Sequence, residues 1–171
     1  ANETGMIRKL DEAVLGMACR QGKAWQDAGY APVRMSVNVS NSFFHGASLV
    51  SAVSRALQET QLAPEFLELE LTESIAMRHV EASIEMLQEL RTMGIRLSID
   101  DFGTGYSSLS HLQRFPLNML KIDQSFACNV PHDAATVSIT RAIISLAHSM
   151  NLTVLVEGVE REEQLEMFRE Q

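Results

Sequence analysis

IRLSIDDFGTGYSS, residues 95–108, begins as a strand and ends as a glycine-bearing loop. Ile95, Leu97 and Ile99 alternate with other side chains, the period of a strand with one packed face. Asp100 and Asp101 stand where that alternation stops. Working outward, four further segments share the design: VRMSVNVS (33–40), FLELELTES (66–74), NMLKID (118–123) and LTVLVEGVE (152–160). Val33, Met35, Val37 and Val39 share one parity, as do Leu67, Leu69 and Leu71, and Leu152, Val154 and Val156. Asn38, Glu70, Asp100 and Glu157 fall on the opposite parity. With Asp101 and Lys121 they cluster at C-terminal strand ends, where α/β folds build their sites.

Helical patterns separate these strands. Ile7, Leu10, Val14, Met17 and Ala18 form a stripe over 6–21, with Thr4 as a candidate N-cap. Helices are also predicted over 48–61, 79–93, about 107–114, 133–150 and from about 161. Gly94 sits where a helix-ending glycine belongs. Strand and helix therefore alternate five times, which predicts a parallel sheet with right-handed crossovers. The second strand faces are mixed (Ser36, Glu68, Ser98, Thr153), whereas open doubly wound sheets are apolar on both. A barrel fits better. A (β/α)8 barrel typically takes about 250 residues, so an incomplete barrel of about five parallel strands alternating with helices is expected.

The chain has 171 residues, 46% hydrophobic and 21% charged, ordinary for a globular domain with its own core. No apolar run approaches the roughly 18–20 residues that span a bilayer. ANETGMIRKLDEA lacks the pattern of a signal peptide, and Cys19 and Cys128 are the only cysteines. A reducing, cytoplasmic setting is expected, for the chain or for a cytoplasmic part of a larger protein. The net charge of −8 argues against nucleic-acid polymers and anionic membranes as partners. It is compatible with a phosphate ligand if cations intervene.

Glu70, Asp100, Asp101 and Glu157 converge if the strands are parallel. Converging carboxylates repel, and an all-oxygen donor set suits Mg²⁺ or Mn²⁺ rather than Zn²⁺. Asn38 adds a neutral carbonyl. Adjacent aspartates face opposite ways on a regular strand, so Asp101 is expected where the chain leaves it. Two metals roughly 3.5–4 Å apart can activate water and stabilise a leaving oxygen in phosphodiester hydrolysis. Lys121 could orient that water or offset charge on the phosphate. Asp101-Phe102-Gly103 lacks the catalytic and nucleotide loops of a kinase, and Gly103 and Gly105 lack the lysine of a P-loop. The histidines show no ligand spacing.

ANETGMI, SVNVS, LELELTES, SIDDFGTGYSSL, LKIDQSF and VLVEGVE, in this order, resemble the EAL family of bacterial cyclic-di-GMP phosphodiesterases. The resemblance covers essentially the whole chain. It implies a variant TIM barrel that cleaves cyclic-di-GMP to linear pGpG with Mg²⁺ or Mn²⁺. It implies metal-binding positions at Asn38, Glu70, Asp100, Asp101 and Glu157, and a lysine near the attacking water at Lys121. It also implies that Glu73 anchors the DDFGTGYSS loop, a loop linked in the family to dimerisation and activation, so a homodimer is expected. Thr72, Ser74 and Thr104 are candidates for contact with the ligand phosphate, or for ordinary turn chemistry. Sensory or GGDEF domains often share a chain with this family.

Two family features are absent: the early strand bearing Glu-Ala-Leu, whose glutamate binds metal, and the C-terminal strand bearing Gln-Gly-Tyr. A single partial domain over 1–171 is therefore expected, with further barrel elements outside it. A receptor or interaction module of the same fold, without chemistry, is the alternative function.

Overall fold

A computed structural model of the chain describes residues 2–45, 49–105 and 109–171, with side chains from Gly5 onward. The elements run α1 (Asn2–Asp27), β1 (Met35–Asn38), α2 (Asn41–Phe44), α3 (Leu49–Thr60), a 3₁₀ turn (Pro64–Phe66), β2 (Leu67–Thr72), α4 (Glu73–Ala76), α5 (Val80–Thr92), β3 (Arg96–Phe102), α6 (Leu109–Leu112), β4 (Met119–Ile122), α7 (Gln124–Cys128), α8 (Ala134–Ser149), β5 (Thr153–Val156) and α9 (Glu162–Arg169). The five strands form one parallel sheet in the order β1-β2-β3-β4-β5. A doubly wound sheet reverses its strand order part-way. This one never reverses, as in a TIM-like barrel wound in one direction.

Strand parity sets the layers. Val37, Leu69, Leu97, Ile99, Leu120 and Ile122 are buried on the helix-facing side, against Leu49, Val53, Ile84, Leu87, Leu90 and Ile144. The other side is polar and, at the central strands, also buried: Glu68, Glu70, Ser98 and Lys121 are each at most 7% exposed. Low on that side, Glu68 lies 3.7 Å from both Arg34 and Arg96. Helix ends follow local chemistry. Gly94 adopts φ +92 and stops α5, as its position suggested. Asp133 caps α8 by accepting the Ala135 and Thr136 amides.

Three expectations are corrected. Four of the strands are shorter than their alternation while β3 extends past it to Phe102, and α2, α4 and α7, each a single short turn or so, are additions to the predicted helices. Helix α1 begins at Asn2, so Thr4 lies inside it and is not its cap. Most of the predicted stripe of α1 is not its packed face. Ile7, Leu10, Val14 and Met17 are exposed, as is Met6, whereas Ala18 is partly buried against the core beside the buried Leu15 and Cys19. The helix packs on α3, β1 and α2. At Gly22 it approaches so closely that a Cβ would lie 2.8 Å from the Met35 side chain. The missing side chain of Gly22 permits this approach. Residues 48 and 106–108, inside the predicted helices or the glycine loop, lie outside the described residues.

Leu15→Ala is expected to cost about 2–5 kcal/mol, the range for truncating a buried leucine. Leu10→Ala in the same chain should change stability by no more than about 0.5 kcal/mol. Urea unfolding of the two variants checks the assignment of the packed face; equal losses would refute it.

Candidate active site

The site is set by one irregularity in β3. Ile99 pairs with Leu120 and Phe102 pairs with Ile122, so Asp100 and Asp101 together oppose the single residue Lys121. Two residues against one is a β-bulge. Asp101 makes it by adopting φ +54, a left-handed conformation that aspartate tolerates better than most side chains. Both carboxylates are thereby brought level with Lys121, and Phe102 returns to the buried helix side. The expectation that Asp101 marks the strand's exit is corrected: it lies within β3, which runs to Phe102.

Lys121 is the centre of the arrangement. Its Nζ donates to Glu70 Oε2 at 2.9 Å and lies 3.1 Å from Asp100 Oδ1 and 2.6 Å from Glu157 Oε1. Three strands and the end of a fourth therefore meet on one ammonium. Burial disfavours that charge, but the bonds from Glu157, Glu70 and Asp100 outweigh it and hold the lysine pKa well above its ordinary value. Asp101 moves the other way for a carboxylate. Its pKa is raised, first by burial and then by the charges of Asp100, Asp123 and Glu157, with Lys121 opposing. One ammonium does not neutralise four carboxylates.

Asn38 is exposed on β1 and in register with Glu70. Glu73, 4% exposed, accepts the Gly103 amide at 3.2 Å. A Cβ on Gly105 would lie 2.6 Å from Glu73 Oε1, so the carboxylate closes against the loop at two glycines. The candidate phosphate contacts are occupied locally. Thr72 and Ser74 share a hydroxyl hydrogen bond of 3.2 Å, and Thr104 Oγ1 donates to the Asp101 carbonyl at 2.9 Å.

Asp123 joins the site without having been singled out in the sequence. It caps α7 by accepting the Ser125 amide at 2.9 Å, and bonds to Ser125 lower its own pKa. Its negative charge reaches Asp101. The available signal was its spacing: two residues past Lys121 and two before a serine, the pattern of a helix N-cap.

Among the described residues, no three acidic, imidazole or thiol groups already surround a common point as metal ligands. The Lys121 ammonium stands between the acids instead. The donor chemistry nonetheless fits a hard divalent cation: all the donors are oxygens, and their negative charge exceeds that of Lys121.

The profile of the EAL domain matches residues 1–171. The chain belongs to the EAL domain family. It is 46% identical over 168 residues to the bifunctional diguanylate cyclase/cyclic di-GMP phosphodiesterase MucR of Pseudomonas aeruginosa, covering 98% of this chain and 24% of that protein. It is 45% identical over 170 residues to the cyclic di-GMP phosphodiesterase NbdA of the same organism, covering 99% of this chain and 22% of the relative. The chain thus spans about a quarter of the length of these curated relatives. The solved PaMucR phosphodiesterase in complex with c-di-GMP superposes with a TM-score of 0.94 at 45% identity, over 99% of this EAL chain and 69% of that one. Such neighbours place the five-stranded sheet within the TIM-barrel-like EAL fold.

Two outcomes test this geometry. Lys121→Met leaves Glu70, Asp100 and Glu157 facing one another without a cation, a loss expected to cost about 3–5 kcal/mol. Denaturation in EDTA should show it, and Mn²⁺ should restore stability more in the variant than in the parent chain. Unchanged stability in EDTA would contradict the central role given to Lys121. Gly105→Ala should push Glu73 off the Gly103 amide, read as faster hydrogen exchange at Gly103 with global stability held within about 1 kcal/mol.

Proposed function

We propose that this EAL domain carries the larger part of the active site of a metal-dependent phosphodiesterase that hydrolyses cyclic-di-GMP to linear pGpG in bacterial second-messenger signalling. The observation that carries the reading is the meeting of Glu70, Asp100 and Glu157 on Lys121, with Asp101 brought level by the bulge. The names of MucR and NbdA and the c-di-GMP bound to PaMucR support the substrate.

In this reading Asn38, Glu70, Asp100, Asp101 and Glu157 hold Mg²⁺ or Mn²⁺, two ions in the expected arrangement. A bound divalent cation supplies Lewis-acid stabilisation of the phosphoryl oxygens and lowers the pKa of water. The protein's own groups do the rest. Lys121 lies in the row of Asp100 and Asp101, where its ammonium orients the attacking water and offsets charge that builds on the phosphate. Glu157, the most exposed of the acids around Lys121, reaches toward the mouth and accepts a proton from that water. The water oxygen adds to phosphorus, the bond to the 3′-oxygen breaks, and that oxygen takes up a proton. Glu73 keeps the Gly103–Gly105 loop closed beside the acids. Thr72 and Ser74, paired with each other at the mouth, remain candidates to contact a phosphate; the inward bond of Thr104 favours its turn role.

The exposed stripe of α1 and the free edges of β1 and β5 suit additional strand and helix units of the same barrel. MucR's bifunctional name supports further domains, such as GGDEF, on a parent chain. A homodimer through the loop after β3 is part of the proposal, on the family resemblance. No helix among the described residues is long and apolar enough to cross a membrane.

The test is turnover of c-di-GMP by the full-length protein, followed by chromatography for pGpG. Activity should require Mg²⁺ or Mn²⁺ and vanish in EDTA. Asp101→Asn should lower kcat by more than about 100-fold, beyond the usual loss for an outer-shell partner. Binding without turnover, where a control phosphodiesterase is active, would identify a receptor instead.

A further inference from the structure

We propose that Gln164 is a positioning residue that holds Glu157 against Lys121. The inference rests on the reading that these two groups belong to the active centre. Glu157 leaves β5 with its amide donating to the Ile122 carbonyl at 3.1 Å. From there the chain runs through Gly158–Arg161 without regular structure before α9 begins. Glu157 is also the least buried acid around Lys121, with 37% of its side chain exposed. A carboxylate on an irregular segment needs something to fix it.

Gln164 supplies that constraint. It is 2% exposed in a helix whose other polar residues are mostly exposed or half-buried. Its Oε1 accepts the Glu160 and Arg161 amides, both at 2.8 Å. Its Nε2 donates to the Ala127 carbonyl of α7 at 2.9 Å. One buried amide thus grips the segment after Glu157 with one end and α7 with the other. The arm it grips is the relevant one, because α7 starts two residues after Ile122 and three after Lys121.

The clamp has two more points. Arg161 donates to the Cys128 and Val130 carbonyls at 3.2 and 3.1 Å. Gly158, at φ +70, comes so near α7 that a Cβ would lie 2.6 Å from the Gln124 side chain. The segments after Lys121 and after Glu157 are therefore joined at Gly158–Gln124, at Gln164–Ala127 and at Arg161–Cys128, beside the 2.6 Å contact of the two charged groups.

The two ends of the amide separate a mere helix cap from a positioning role. Glutamate at this position still accepts the two cap amides, as it does in ordinary capping boxes. It cannot donate to Ala127. Gln164→Glu should keep α9 folded while cutting the link to α7, and Gln164→Met should lose both.

The full-length protein is the material for the test. Gln164→Glu should lower kcat about 10- to 100-fold, the usual loss for a residue acting through its neighbour, with KM for c-di-GMP held within about twofold and circular dichroism unchanged. Hydrogen exchange at the Glu157 and Gly158 amides should quicken in the same variant, a readout independent of turnover. A purely structural role predicts unchanged kcat per folded molecule below the melting temperature. That result, an effect confined to KM, or unchanged exchange at Glu157 and Gly158 would each overturn the inference. An inactive parent protein would refute the phosphodiesterase reading alone, and the exchange measurement would still decide the role of Gln164.

Discussion

A single ammonium group organises the upper interior of this sheet. Glu70 and Asp100 come from different strands and Glu157 from the segment just past a third, and two unscreened carboxylates about 4 Å apart repel by about 4 kcal/mol at an effective dielectric of 20. Three of them share one pocket only because Lys121 stands among them, within 3.1 Å of each. That requirement reaches back into the fold. The four groups meet because every neighbouring strand pair is parallel, so that all the C-terminal ends lie on one side. An antiparallel neighbour would carry its end residue to the opposite edge. The sequential strand order then keeps the helices on one face and leaves the other free for buried polar groups such as Glu68, Ser98 and Lys121.

The bulge in β3 is the second constraint, and it is subordinate to the first. Adjacent residues of a regular strand diverge, so a regular β3 would aim Asp101 into the helix layer, where an unpaired carboxylate is costly. The left-handed turn at Asp101 places it with Asp100 and returns Phe102 to the core. The conformation is held after the fact by the Thr104 hydroxyl on the Asp101 carbonyl and by Glu73 on the Gly103 amide. A side chain that titrates high for its type, because burial and three other acids press on it, is the electrostatic result.

Much of this was legible in the amino-acid order. Period-two alternation gave the buried face of the strands, and five alternating units gave parallel topology, because both depend on neighbours in the chain. The acidic cluster followed from parity and strand ends together. The details that escaped depend on contacts distant in sequence. Whether Asp101 sits inside or beyond β3 is settled by its register against Lys121, twenty residues later. Nothing local marks Lys121 as the shared partner of three acids rather than a reserve charge. Asp123 carries the local pattern of a cap, but its closeness to Asp101 depends on the bulge in the neighbouring strand.

The misread face of α1 has a different cause. Periodicity identifies an apolar stripe that wants cover; it does not identify which neighbour supplies it. This helix has two candidate faces, and a polar contact chooses between them. Asp11 accepts the Ser40 hydroxyl, and the same hydroxyl accepts the Phe43 amide at the start of α2. Leu15 and Cys19 lie four and eight residues beyond Asp11, on the same side of the helix, and Gly22 continues that line to its close contact with Met35. Once Asp11 is fixed, rotation about the helix axis is fixed, and Met6, Leu10 and Met17 must point away. The exposed residues form a continuous apolar stripe along the helix rather than scattered single side chains. Among the described residues, α1 makes its contacts with α3, β1 and α2 through the face of Leu15, Cys19 and Gly22.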